Sequence, residues 1–208
     1  MAFIADVHGN LPALEAVLAE LRRRAIVDLF VAGDLVLGGT QPLEVWQRLS
    51  SLGARCVRGT SDLALAAVEA STLRPKNDAE RSSAESFAAT QRAIGELVRR
   101  RLGGLPERLR LPMIDGRELL LVHGSPQDPS VAISHEMEDD EISALLADDP
   151  ADIVVCGASH VPFVHSVGEV QVVNVGSVGQ APGAHVAHYT VISPKVSGAD
   201  IEQTFTEY

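Results

Sequence analysis

Cysteine is scarce. The 208 residues hold two, Cys56 and Cys156, each set in an apolar run ("ARCVRG" and "DIVVCG"). Two such distant thiols make no disulfide framework, so both are expected as buried free thiols. Long hydrophobic runs are missing as well. No stretch of ~18 or more apolar residues occurs, and no membrane-spanning helix is expected. The N-terminal stretch lacks a basic leader region and carries Asp6 and Glu15 where a signal peptide would be apolar, so the expected location is the cytoplasm. Cations are few: 17 Lys and Arg face 28 Asp and Glu, for a formal net charge of -11. That excess disfavours a polyanionic partner such as duplex nucleic acid. It leaves room for a small phosphorylated substrate, because bound cations reverse the field locally. Internal repeats and low-complexity tracts are absent.

What remains is an ordinary globular composition, 46% apolar and 22% charged. A chain of this length buries about 70% of its unfolded surface when compact, and residues 1–208 are read as a single domain. Residues 2–5 read as a strand. Asn10 is placed to cap a helix, Pro12 falls in its first turn, and Leu11, Leu14, Val17, Leu18 and Leu21 repeat at helical spacing. "DLFVAGD" reads as a second strand, residues 42–51 as a helix and "ARCVRG" as a third strand. The resulting β-α-β-α-β order predicts a parallel sheet. Residues 62–102 change to a helical pattern broken by "LRPKND", which gives two helices and a loop; residues 63–105 are read as a helical insertion or cap. Strands follow at "LRLPMI" and "ELLLVHG", joined by Asp115-Gly116, a hairpin signal. An acidic helix is expected over 139–147. The short apolar runs "DIVVCG", "VPFVHSV", "VQVVNVG" and "AHVAHYTVI" predict a second, mostly antiparallel sheet.

Polar residues of one chemical kind gather where strands stop. Asp6 and His8 close the first, Gly33-Asp34 the second, and Gly59-Thr60-Ser61-Asp62 the third. His123-Gly124 and Gly157-Ala158-Ser159-His160 close two later ones. Ligands of open α/β sheets collect at the carboxyl ends of strands. Carboxylates and imidazoles together suit borderline divalent metals, and Asp34 could bridge two such ions about 3.5–4 Å apart. One Asp-x-His taken alone is more often a turn; the repeated pattern reverses that reading.

The ordered set D-x-H-G-N, G-D, G-x-x-D, H-G, G-x-x-H and N-x-G-S-V-G-Q resembles the calcineurin-like metallophosphoesterase superfamily. The stretches "LPERLRLPMIDGRELLLVHGSP" and "VVNVGSVGQ" are similar to its small bacterial and archaeal phosphodiesterase-like branch. The resemblance implies an α/β fold, the four-layer α/β/β/α sandwich of metallo-dependent phosphatases. It also implies a phosphoesterase using one or two divalent ions per chain (Mn, Fe, Ni or Zn), and a possible homo-oligomer. By the same resemblance the first metal site is Asp6, His8, Asp34 and His160. The second is Asp34, His123, Thr60 and position 158, with Asp34 and His123 as the catalytic pair.

Three departures stand out. Position 158 is alanine, which cannot ligate, and Thr60 offers a hydroxyl where the family has an amide. Ser61 occupies the place of the family's leaving-group acid and donates no proton readily at neutral pH. The expectation is therefore a phosphodiesterase or phosphatase acting on a small phosphorylated substrate, nucleotides among the candidates, with a weakened second site. The competing expectation is a degenerate member that binds metal or nucleotide, or scaffolds a partner, without useful turnover. Asp62 and Arg74 are the candidates for substrate contact. Arg74, Lys76 and Arg81 serve either as a phosphate grip or as a solvated helical surface. Asn174 and Ser177 either shape the loop near the metals or only its turn.

Overall fold

The computed structural model describes residues 1–149, 151–183 and 185–208. Its strands alternate apolar faces, and that alternation builds the layers. In β1 (Ala2–Ile4) and β2 (Leu29–Val31), Ala2, Ile4, Leu29 and Val31 face one core, while Phe3 and Phe30 face another. In β5 (Glu118–Val122) and β6 (Ile153–Cys156), Leu119, Leu121, Ile153 and Val155 face that second core. Leu120, Val122, Val154 and Cys156 face a third. Three cores separate four layers, helices on sheet on sheet on helix, as the resemblance implied. Between the sheets Phe3 stacks on Phe30 at 4.9 Å, worth about 0.5–1.5 kcal/mol beyond the area buried.

The outer helices are amphipathic. In α1 (Leu11–Arg23) Asn10 caps the first turn by accepting from the Ala13 N–H at 3.2 Å, and Arg22 and Arg23 close the last turn, where the helix dipole favours cations. Its buried face, Ala13, Leu14, Val17, Leu18 and Leu21, packs on the first sheet. Truncating Leu14 to alanine there would cost about 2–5 kcal/mol. Helix α2 (Pro42–Ser51) covers the same sheet through Val45 and Leu49. β3 (Arg55–Cys56) leads to α3 (Thr60–Ala67), a 3₁₀ turn at Ala70–Thr72 and α4 (Asp78–Gly103), which kinks at Gly95 where φ is +69°. Helix α4 buries Phe87, Ile94, Val98 and Leu102 against this side. β4 (Arg108–Pro112) pairs antiparallel with β5 across the Asp115-Gly116 turn, and α5 (Asp139–Leu146) covers the far side of the second sheet.

The remaining strands correct the predicted arrangement. β7 (Pro162–Val167), β8 (Val170–Val175), β9 (Val186–Lys195) and β10 (Gly198–Glu207) complete two five-stranded sheets, ordered β10-β9-β1-β2-β3 and β4-β5-β6-β8-β7. The second sheet is mixed: β6 pairs parallel with both β5 and β8, because α5 carries the chain across between β5 and β6. The strand expected from "AHVAHYTVI" lies in the first sheet, antiparallel to β1; Ala184, its first expected residue, lies outside the described residues. β10 had no sequence signal strong enough to be expected. Among the described residues no helix is long and apolar enough to cross a membrane.

Candidate metal centre

The carboxyl ends of β1, β2 and β3 in one sheet meet those of β5 and β6 in the other. Asp6 and His8 follow β1, Asp34 follows β2, His123 follows β5 and His160 follows β6. Cross-links hold these turns together: Asp6 N–H donates to Gly33 at 3.0 Å, His8 N–H to Asp34 at 3.0 Å, and Gly157 N–H to His123 at 2.8 Å. The turns are strained. Asp6, His8, Asp34, Ala158 and His160 have φ between +49° and +66°, a left-handed conformation that costs L side chains energy. Most of the other side-chain-bearing residues in this conformation, such as Ala25 and Ala147, sit at helix ends.

Two groups result. Asp6, His8 and His160 form one; Asp6, Asp34 and His123 form the other. In the first, the Nε2 atoms of His8 and His160 stand 3.3 Å apart, and each lies 3.9 or 3.7 Å from Asp6 Oδ1. In the second, His123 Nε2 is 3.6 Å from Asp34 Oδ1.

The outer atoms of these rings are tied down. His8 Nδ1–H donates to the Leu37 carbonyl at 2.7 Å, and His123 Nδ1–H to the Ala32 carbonyl at 2.7 Å. A carbonyl only accepts, so both rings carry a proton on Nδ1, which leaves Nε2, facing inward, as the atom a metal would take. Asp6 is fully buried. Its Oδ2 accepts from Ala158 N–H at 2.9 Å, while Oδ1 has no partner among the described residues.

An orphan buried carboxylate oxygen with imidazole Nε2 atoms 3.7 and 3.9 Å away is costly unless a cation sits among them. The donor set, imidazole nitrogen and carboxylate oxygen, is the chemistry of Mn, Fe, Ni and Zn, and the residues fit a divalent metal. In the metal-free chain the His160 ring is held above its ordinary pKa, chiefly by the Asp6 carboxylate, whose Oδ1 lies 3.7 Å from His160 Nε2.

Asp62 stands elsewhere than expected. Its carboxylate is completely buried and accepts from the backbone N–H groups of Asp34 (2.9 Å), Leu35 (3.1 Å) and Gly59 (3.0 Å). It holds the turn carrying Asp34 and has no exposed surface. Burial, then the nearby charge of Asp34, pushes it up to about 6. Asp34 Oδ1 in turn accepts from Ser61 N–H at 2.9 Å, and a side chain on Gly59 would collide with that carboxylate.

Thr60 begins α3, exposed, and lines a cavity of about 290 Å³ with Arg58, Gly59 and Asp128. Arg74 stands in the loop before α4. Its Nη1 donates to the Ser71 and Leu73 carbonyls, and it lines a groove beside α4. Ser177 Oγ donates to the Asp6 carbonyl at 2.9 Å, and Asn174 Nδ2 to the Gly157 carbonyl at 2.7 Å. Both therefore brace the ligand-bearing turns. The carbonyls of Leu37 and Ala32 could not be anticipated, because a backbone acceptor leaves no mark in residue identity.

This centre sits at the facing strand ends of a four-layer sandwich, and the comparisons agree on what that defines. The chain belongs to the calcineurin-like phosphoesterase superfamily, whose domain profile matches residues 1–196. It is thus a hydrolase acting on phosphate esters, of a family that works with divalent metal ions. An uncharacterized protein of Methanocaldococcus jannaschii is 27% identical over 94% of this chain and 83% of its own length. A symmetrical bis(5'-nucleosyl)-tetraphosphatase of Sodalis glossinidius is 43% identical over a shorter stretch, 35% of this chain and 27% of that protein. The crystal structure of a hypothetical protein from Pyrococcus horikoshii superposes with a TM-score of 0.82 at 22% identity, covering 100% of this chain and 88% of that one.

Proposed function

We propose that this chain hydrolyses small phosphate esters, nucleotides among them, with one firmly held divalent ion and a second held weakly. The observation that carries the reading is the Asp6–His8–His160 group, with its orphan Oδ1 and its two Nε2 atoms at 3.3 Å. Asp6, His8 and His160 would hold the first ion, and Asp34 and His123 would face the second. A bound divalent cation supplies Lewis acidity, drawing charge from phosphoryl oxygens and lowering the pKa of water towards ~7.

The protein's own part is placement. The Leu37 and Ala32 carbonyls fix the imidazole tautomers, Asp62 fixes the backbone of Asp34, and Ser177 and Asn174 fix the turns around Asp6 and Gly157. Ala158 brings no donor side chain to the second position. Ser61 supplies no proton at neutral pH, so the departing oxygen must leave without one. Substrates whose leaving groups are stable as anions, such as aryl phosphates and anhydride-linked nucleotides, should turn over fastest. The likeness to the dinucleoside tetraphosphatase supports nucleotides within that class. Asp62, fully buried, is proposed as a positioning residue; Arg74 remains a candidate for substrate contact at the groove.

The residue pair Thr60 and Ala158 also favours a second reading, a member that binds metal or nucleotide with little turnover. One assay separates the two. With Mn²⁺ added, wild-type protein should release p-nitrophenol from bis(p-nitrophenyl) phosphate, chelator should stop it, and Asp34→Asn should abolish it. Metal bound without any release would favour the second reading.

A further inference from the structure

The groove beside α4 has a volume of about 510 Å³, within the ~300–1,000 Å³ range of small-molecule sites. Leu37, Leu73, Pro75, Ala84 and Phe87 give it an apolar lining. It is joined to the metal centre by one residue: Leu37 lines the groove, and its carbonyl is the atom that holds His8 Nδ1. The next residue, Gly38, lies against the side chains of Gln180 and His8: a Cβ placed on it would meet Gln180 Nε2 at 2.7 Å and His8 Cβ at 3.6 Å.

We infer that this groove receives the flat aromatic end of the phosphate ester whose phosphorus lies at the metal centre, an inference that rests on the phosphoesterase reading above. The lining chemistry selects the occupant. Its polar atoms are already engaged: Arg74 Nη1 donates to Ser71 and Leu73 carbonyls at 2.8 and 2.9 Å. Glu80 accepts from Lys76 N–H at 2.7 Å and Asn77 Nδ2 at 2.9 Å, and Ser83 Oγ donates to the Ala79 carbonyl at 3.1 Å. Leucine, proline and phenylalanine surfaces remain, which bind a ring by its faces and area rather than by its hydrogen-bonding edge. The Arg74 guanidinium adds a cation suited to a ring face or to a flanking phosphate. Rings are thus chosen by size, and different bases of equal size should bind alike.

Calorimetric titration of the full-length, Mn²⁺-loaded protein with inorganic phosphate, phenyl phosphate and adenosine 5'-monophosphate tests this. The groove predicts at least about a tenfold tighter Kd for an aromatic ester than for inorganic phosphate, the scale of a modest apolar contact. AMP ahead of phenyl phosphate marks a nucleobase as the occupant; the reverse order marks a simple aryl ring. Ser83→Trp, at an exposed position on the groove wall, should erase the aromatic advantage and leave phosphate binding unchanged; its thermal melt verifies the fold.

Aromatic esters binding no tighter than phosphate, or an advantage that survives Ser83→Trp, overturns the inference while the phosphoesterase reading stands. Aromatic binding that Ser83→Trp removes, in a protein that neither binds phosphate nor hydrolyses esters, supports the groove and removes that reading. No binding of any of the three overturns both.

Discussion

The carboxylate of Asp62 grips the backbone of Asp34, accepting its N–H at 2.9 Å from a fully buried position, and takes the Leu35 and Gly59 N–H groups as well. Asp62→Ala strands three buried donors, each worth about 1–3 kcal/mol when unpaired. The melting temperature of a chain this size falls by roughly 2–4 °C per kcal/mol. The stronger signature is on the metal: second-layer losses typically cost about 10–100-fold in affinity. Titration of Mn²⁺ into Asp62→Ala should show that loss, and an unchanged affinity would mean that Asp62 is only a fold-stabilising residue.

The elements whose side chains carry their own message were legible in advance. Short apolar runs located β1, β2, β5 and β6, and helical spacing with Asn10 as cap located α1. The dispersed Asp and His residues stood out because each closes a strand. What stayed hidden lies in the backbone or between elements. The Leu37 and Ala32 carbonyls have no residue signature. The role of Asp62 depends on which N–H groups surround it after folding, so residue type alone pointed to substrate instead. β10, "GADIEQTFTE", is an edge strand with only Ile201 and Phe205 as large apolar residues, and its polar composition masked it. The placement of β9 beside β1 is a long-range pairing that local pattern does not encode.

Metal binding should depend on pH through His160. The Asp6 carboxylate beside it raises its pKa in the metal-free fold above the ordinary value of 6.5. A raised histidine value stabilises the metal-free fold fully below the unfolded pKa, and that contribution fades as pH rises through the folded one. A metal ion needs the neutral ring, so its stabilisation runs the other way. The rise in melting temperature caused by Mn²⁺ should shrink as pH drops through that raised value, so the loss begins above 6.5. His160→Ala should bind more weakly and lose that steepness. An equal Mn²⁺ effect at pH 5.5 and 8 would contradict the assignment of His160.

Restoring the absent donors should strengthen the second site. Ala158 sits at φ +66°, a region that histidine visits more readily than most side chains, so Ala158→His is tolerated by the turn. Combined with Thr60→Asn, it should raise the number of Mn²⁺ ions held per chain through gel filtration, and turnover should rise with it. Unchanged stoichiometry in the double variant would show that these two positions are not what weakens the site.

Cys156 is fully buried, and burial pushes its thiol up to about 12. Thiolate is the reactive form, so the native protein should resist iodoacetamide at this position at pH 8 and react only on unfolding. Mass-spectrometric labelling against denaturant reads this directly. Prompt modification of Cys156 in native buffer would show that the core behind β6 opens.

Crystals grown with Mn²⁺ and measured at the manganese edge test the central claim most directly. The account predicts an anomalous peak enclosed by Asp6, His8 and His160, with a weaker one beside Asp34 and His123. Flat density at both places, in crystals that contain free Mn²⁺ and show these side chains as described, would contradict it.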